Sequence, residues 1–447
     1  MTNTNSLLST IRLESARIAV VSVVALILFL STARAGDRCG NFCDSGCNIC
    51  QPYSGSQPYS SSDGSGAMLP DPGDPGAPFA AASAPMAVAP NMIGDFFGTG
   101  ISTATLGSGL FSNMQLSLPL DFFSSTKLQI PDPTGTVIGR QKIAENTSPI
   151  PRDRLFINYS HFDSVPLTAG DVNVNRFSPG FEKTFLDGMA SLEMRFPIAS
   201  TLDSDLRLSG INDTSHTEFG NININLKSLV WSNCNSAISA GLGITIPTAD
   251  DLALKDLNDR SVAVVQNDSV HLLPFIGGLH TPNENLFVQW YLQFDFDANG
   301  NDVLVDTGNG LRGVGSVEDA TFMFFDVSAG YWIYRNECAC QSGITGFAPM
   351  VELHLSRSLE STDVLRGPGG IQVGRPKDDI QILNGVIGGV ITVADDKTIT
   401  AAYVVPIGNG ADQQFDSEFR LFFNWFFGGD SNRSPVYNRP TLFSRGW

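Results

Sequence analysis

Only one stretch of this chain is apolar for long, Ile18–Leu30 (IAVVSVVALILFL), and it is too short to be a membrane-spanning helix of about 20 residues. No other uninterrupted run reaches that length, so if the chain crosses a bilayer it crosses as strands. Positive charge is also scarce, with 27 Lys and Arg against 45 Asp and Glu and a net charge of −18. That balance excludes a nucleic-acid surface, which would be basic, and fits a surface-exposed protein with acidic loops. Cysteine is sparse and uneven. Four of the seven, Cys39, Cys43, Cys47 and Cys50, stand within twelve residues, and Cys234, Cys338 and Cys340 fall in later turns.

The short apolar run explains the first 35 residues. Arg12 and Arg17 precede it and Ala33-Arg34-Ala35 follows, the pattern of a secretory signal cleaved before Gly36. Cleavage removes Arg12, Arg17 and Arg34 together with Glu14, taking the net charge to −20. Residues 36–50 then form a Cys-rich element. Outside the cytoplasm its C-x3-C-x3-C-x2-C spacing reads as local disulfides, with a metal knuckle the less favoured reading because the segment holds no His. Seven thiols leave at least one free or paired between chains, and connectivity stays open. This tethered element is a candidate contact for another exported protein. Residues 51–94 are rich in Pro, Gly and Ser and read as a disordered linker. Residues 95–150 read as a plug, an extension or an extra hairpin, three alternatives between which the pattern does not choose.

From residue 151 to 427 the chain repeats one design. In Asn285–Asp297, Val288, Trp290, Leu292, Phe294 and Phe296 alternate with Gln289, Tyr291, Gln293, Asp295 and Asp297, the period of a strand with one apolar face. Twelve such strands are predicted, near 153–163, 173–186, 189–197, 217–230, 236–246, 269–280, 285–297, 322–334, 346–356, 380–393, 397–406 and 414–427. Their connections alternate in length. Asp187-Gly188, 231–235, 281–284 and 394–396 are short and 335–345 is intermediate, whereas 198–216, 247–268, 298–321 and 357–379 are long. Short turns at one end, long loops at the other and an even strand number are the signature of an outer-membrane barrel. A soluble sandwich explains the alternation but not the placement of the loops. Phe287, Trp332, Tyr334, Phe426 and Phe427, near strand ends, are expected on the lipid face as interfacial girdles. The fold expected is thus a closed antiparallel transmembrane β-barrel of about twelve strands, with residues 428–447 a C-terminal tail.

Three segments, SPIPRDRLFINYSHFDSV (148–165), NRFSPGFEKTFLDGMASLEMRFP (175–197) and LPFIGGLHTPNENLFVQWYLQFDFDANGN (273–301), resemble a family of outer-membrane β-barrel proteins described as porin-like or transporter-like. The resemblance covers residues 146–427. It implies a channel or transport component of the outer membrane and supplies no catalytic residues. One departure is the tail after FRLFFNWFF (419–427), since such barrels commonly finish on an aromatic-ended last strand.

The polar faces of the strands give the candidate lumen. They carry Arg154, Arg195, Lys227 and Arg420 against Glu193, Asp295, Asp326, Glu352 and Glu418, with Gln289, Gln293 and His354 between them. Mixed signs of this kind do not choose between cations and anions. Two sharper chemistries are weighed. Glu352, His354 and Ser356 have the residue types of a hydrolase, but same-face neighbours on one strand stand roughly 7 Å apart, too far for a base to reach its nucleophile. Asp295, Asp297 and Asn299 open a D-x-D-x-N-G pattern, and Asp306 falls where a calcium loop places its last acid; Asp302 where an apolar residue is usual and the absence of flanking helices favour a polar turn. The expectation is a non-catalytic channel for small polar solutes, contacting outer-membrane lipid and needing no cofactor. The alternatives are a non-conducting barrel anchored or cross-linked through its cysteines and, more weakly, a membrane hydrolase.

Overall fold

The computed structural model describes residues 89–98, 101–106, 126–131 and 136–427, with short breaks at 169, 234, 336–342, 361–362, 368–369, 375–379, 395 and 409–411. The signal, the Cys-rich element, most of the linker, the tail and all seven cysteines lie outside the described residues.

Twelve strands form the wall. They are β1 (Arg154–Val165), β2 (Val172–Phe185), β3 (Ala190–Arg195), β4 (Ile222–Ser232), β5 (Ser236–Ile246), β6 (His271–His280), β7 (Leu286–Asp297), β8 (Phe322–Tyr331), β9 (Ile344–Ser358), β10 (Gln381–Val393), β11 (Lys397–Pro406) and β12 (Ser417–Phe426). Each pairs antiparallel with its sequence neighbour, and β12 returns to β1 with Phe426 opposite Arg154 and Ser417 opposite Asp163. The sheet therefore has no free edge: it is a closed barrel. All twelve strands fall where the alternation predicts them, within a few residues at each end.

Alternation sorts the side chains between two faces. Along β7, Phe287, Gln289, Tyr291, Gln293 and Asp295 point inward and are buried, while Leu286, Val288, Trp290, Leu292 and Phe294 point outward. Two girdle expectations are thereby corrected. Phe287 shares the inward phase of Gln289 and is buried against Trp332, which is also buried; their rings lie 6.2 Å apart. At that end the exposed aromatics include Phe185, Trp231, Tyr331, Phe347 and Trp425, with Tyr334 exposed as expected. Phe426 and Phe427 are half-buried.

The turns at 186–189 and 281–285 lie at the short-turn end. At the opposite end the long connections are themselves structured. Asp205–Arg207, Leu252–Lys255, Ser261–Val265, Asn301–Asp306 and Leu311–Val317 make a five-stranded sheet from three different loops. Its apolar residues Leu206, Leu254, Val262, Val265, Val303 and Val305 are buried in one cluster that continues to Leu202, Phe162 and Phe97 at the loop end of the barrel.

The segment before β1 passes through the barrel twice. Starting at the short-turn end, the Ala89 carbonyl accepts from Arg152 Nη2 at 2.7 Å. Farther in, the Ile93 and Gly94 amides each donate to Glu352 on β9 at 2.8 Å. At the long-loop end the Gly98 amide reaches Gln414. Outside the wall, Ile101–Leu106 and Thr126–Pro131 form a hairpin that pairs with Gln372–Gly374 of the loop after β9. The chain then re-enters. Arg140 pairs with Asp295 and Asp319 near the loop end, the Ile143 amide donates to Gln293, and Asp153 meets Lys183 and Thr184 back at the short-turn end. The two passes touch at Met92 and Thr147, whose backbones bridge. Gly94, at φ +79°, sits where a Cβ would come within 2.6 Å of Glu145 Cα. Only glycine lets the passes lie that close.

Candidate functional site

The outward face of the wall is apolar all round. Leu155, Leu226, Leu242, Ile276, Val351, Ile387 and Leu421 stand exposed on seven different strands, each by 38% or more. A continuous band of this kind has no place in water. On a closed barrel it is the lipid-facing belt, and Trp231, Tyr331 and Trp425 at the short-turn end with Phe296 and Phe325 at the loop end lie where interfacial aromatics belong. The protein is a transmembrane β-barrel of the outer-membrane type.

The lumen is the candidate site. The structure places Arg154, Glu193, Arg195, Lys227, Gln289, Gln293, Asp295, Asp326, Glu352, His354, Glu418 and Arg420 on the inner face, all buried. What covers them is the double-pass segment, which brings Asp95, Arg140, Lys142 and Glu145 of its own. The charges form three groups. On β1–β4, Arg154 binds Glu182 at 2.8 Å and Glu193 at 2.5 Å, Arg195 also binds Glu193, and Lys227 binds Glu182 at 2.9 Å. On β12, Arg420 holds Glu418 at 2.6 Å and donates to the Ile93 carbonyl, while Glu145 of the segment accepts from Arg176. On β8 and β9, the His354 ring nitrogens lie 2.8 Å from Asp326 Oδ1 and 3.0 Å from Glu352 Oε2, and Lys142 of the segment lies between Asp326 and Asp95. Charges in a low-dielectric interior persist only when paired and hydrogen-bonded, and here nearly every wall charge finds its partner on the wall.

Hydrolytic chemistry finds no geometry at Glu352, His354 and Ser356. Both ring nitrogens of His354 face carboxylates, leaving neither for the Ser356 hydroxyl. The calcium pattern is likewise dispersed. Asp295 turns into the lumen, where it pairs with Arg140 and with His271 at 2.6 Å. Asp297 accepts from Ser269 and from the amides of Asn299, Gly300 and Asp319. Asn299 bonds the Val270 amide, and Asp306 is taken by Arg260 and the amides of Gly308 and Gly310. These four side chains do not converge, because the strand's alternation sends Asp295 inward while the others cap separate turns. Among the described residues two other groups do bring ligand atoms together: Asp95, Asp326 and His354, already holding an ammonium, and Asp203, His216 and Glu218 in the cap, where Ser204 occupies one Glu218 oxygen.

Sequence reasoning missed the segment's contribution, Asp95, Lys142 and Glu145, and also Glu182 and Arg176 on β2. The last two were available to the alternation argument, since Val172–Phe185 keeps Arg176, Ser178 and Glu182 on alternate positions.

No family model matches the chain, and no curated protein matches it. Among solved structures it is similar to an outer-membrane channel from Pseudomonas putida F1, with 12% identity over 63% of this chain and 97% of that one and a TM-score of 0.42. It is also similar to the β domain of the Bordetella autotransporter BrkA, with 12% identity over 62% and 100% and a TM-score of 0.38, and to the NanC porin, with 8% over 61% and 99% and 0.35. Likeness of that degree leaves the fold to rest on the hydrogen-bonded closure of the wall.

Proposed function

We propose that the protein is a non-catalytic outer-membrane channel for small polar solutes, held closed by the segment that fills its lumen. The observation that carries this reading is the pairing within the wall. A small barrel that never opens is filled well by side chains, and apolar filling is often the more stable choice than buried ion pairs. Here Arg154, Glu182, Glu193, Arg195 and Lys227 pair with one another, as do Arg420 and Glu418, and what the segment adds to these cations is chiefly backbone carbonyls, Asn146 to Arg154, Lys142 to Arg195, Ser148 to Lys227 and Ile93 to Arg420. If the segment left, water would have to replace those carbonyls on a wall whose charges already stand in ion pairs. The obstruction itself is held largely by side chains, and among the described residues its two passes join the wall by no ladder of strand pairing.

Planar-bilayer recording tests the proposal. The full-length protein should be silent or open rarely, and Glu352→Gln, which weakens the carboxylate holding the Ile93 and Gly94 amides, should raise the open probability. If variants that retain heat-modifiable gel mobility never conduct, the channel reading is lost. A non-conducting barrel that displays the hairpin of Ile101–Leu106 and Thr126–Pro131 at its loop end would then be the better account.

A further inference from the structure

The Lys142 ammonium does more than neutralise acid. Its Nζ lies 2.6 Å from Asp95 Oδ1 and 2.7 Å from Asp326 Oδ1, and it is fully buried. Two aromatic rings flank it, with centroids at 5.4 Å for Phe96 and 5.2 Å for Phe324, and the rings meet each other edge to face at 5.1 Å. Two carboxylates and two ring faces around one nitrogen are the elements of an organic-ammonium receptor. A hard divalent cation would ask instead for about six oxygens.

The receptor is divided between the wall and the obstruction. Phe324 and Asp326 both point inward from β8 and belong to the barrel. Strand register sets Asp326 beside His354 and His354 beside Asn384, so one row across three strands is polar. Asn384 holds the second oxygen of Asp95 at 2.6 Å, which fixes that carboxylate toward the nitrogen. On the wall itself, Asp326 Oδ2 is buried and has no hydrogen-bond partner. The wall's acids here, Asp326 and Glu352, exceed what His354 alone can balance.

We infer that the inner wall at Phe324 and Asp326 is a binding site for alkylammonium groups, that Lys142 occupies it intramolecularly, and that primary amines are the solute class which competes with Lys142 for it. This deepens the channel reading and rests on it for the word solute; the binding site itself stands apart from conduction. With the first pass in place, a free amine would meet the same two carboxylates and ring faces, and its occupancy would remove the contact that holds the returning pass against β8.

The test is chemical rescue in the full-length chain. Lys142→Ala deletes the atoms of n-propylammonium, so that ion is the probe, present while the barrel refolds into detergent so that access is not at issue. Lys142→Ala should melt several degrees lower than the parent. n-Propylammonium should raise the melting temperature in a saturable way, as a ligand of the folded state does. Neither 1-propanol nor potassium should do so, and adding Asp326→Asn should abolish the effect. Should Lys142→Ala not fold alone, refolding that depends on n-propylammonium gives the same support, and Lys142→Ser provides a second background. Lack of a saturable shift in both backgrounds overturns the site. So does an equal shift with 1-propanol or potassium, or a shift that survives Asp326→Asn. Rescue without conductance in any variant keeps the ammonium site and discards the channel; conductance without rescue does the reverse.

Discussion

The lumen and the cap are two interiors of one chain, built on opposite principles. In the cap, loops from three connections bury Leu206, Leu254, Val262, Val303 and Val305 much as a small soluble sheet would. In the lumen, the same chain buries Arg154, Arg176, Arg195, Arg420 and Lys142, among the largest fully buried side chains it has. Apolar burial is lost when water enters, whereas paired charges exchange one set of partners for another. The difference teaches where the molecule can open. On the proposed channel reading the cap stays folded, and the lumen is the interior that exchanges its contents for water.

The sharpest way to break that comparison is at Glu182. Its carboxylate takes Arg154, Lys227, the Ser191 hydroxyl and the Arg152 amide, so Glu182→Ala takes the carboxylate from buried Lys227 and leaves Arg154 to Glu193 alone. Breaking such a pair by removing one partner costs about 3–5 kcal/mol. Guanidinium unfolding of the refolded barrel should register a loss of that size. A loss no greater than that of a cap methyl deletion would mean the lumen charges are already hydrated, and the distinction between the two interiors would collapse.

Next in size is the outer face of the same wall. Leu421 lies midway along β12, exposed, with its chain neighbours Arg420 and Phe422 turned inward. Leu421→Arg moves a charge to the lipid side, at a cost of about 2–4 kcal/mol near the bilayer midplane. Measured in lipid vesicles the penalty should appear, and in water-exposed loops the same substitution should cost little. A neutral result in vesicles would place that face against protein instead of lipid.

In the cap, Val305→Ala removes two buried methyl groups from a fully enclosed position and should cost about 2 kcal/mol. The comparison is sharpened by what does not change: proteolysis of the loops should accelerate while heat-modifiable mobility of the barrel persists.

How much of this was legible beforehand divides along the same line. The wall was readable because lipid on one side and polar filling on the other enforce strict alternation, so residues such as Gln289, Gln293, Glu352 and Arg420 carry their address in their parity. Phe287 shows the failure of reading residue type over parity: it shares the phase of Gln289 and goes inside, although an aromatic at a strand end invites the girdle. The double-pass segment had no such address. Its chain is enclosed on all sides, so neither period 2 nor period 3.6 is imposed on it, and Asp95, Lys142 and Glu145 look like ordinary surface charges. The dispersed calcium pattern failed for a related reason, because a spacing taken from a loop was laid across the end of a strand.

The smallest expected effect lies on the cap's surface. Arg207 and Asp259 pair at 3.0 Å, but their side chains are 52% and 61% exposed, so water and salt compete for both. Arg207→Ala should change unfolding by about 0–1 kcal/mol and by less as salt is raised. The two residues belong to neighbouring loops whose strands Asp205–Arg207 and Leu252–Lys255 pair in parallel, so their register is already set by backbone and by Leu206 and Leu254 beneath. If this exposed pair cost as much as Glu182, enclosure would not be what gives the lumen charges their strength, and the case for a wall built to exchange its partners for water would lose its physical basis.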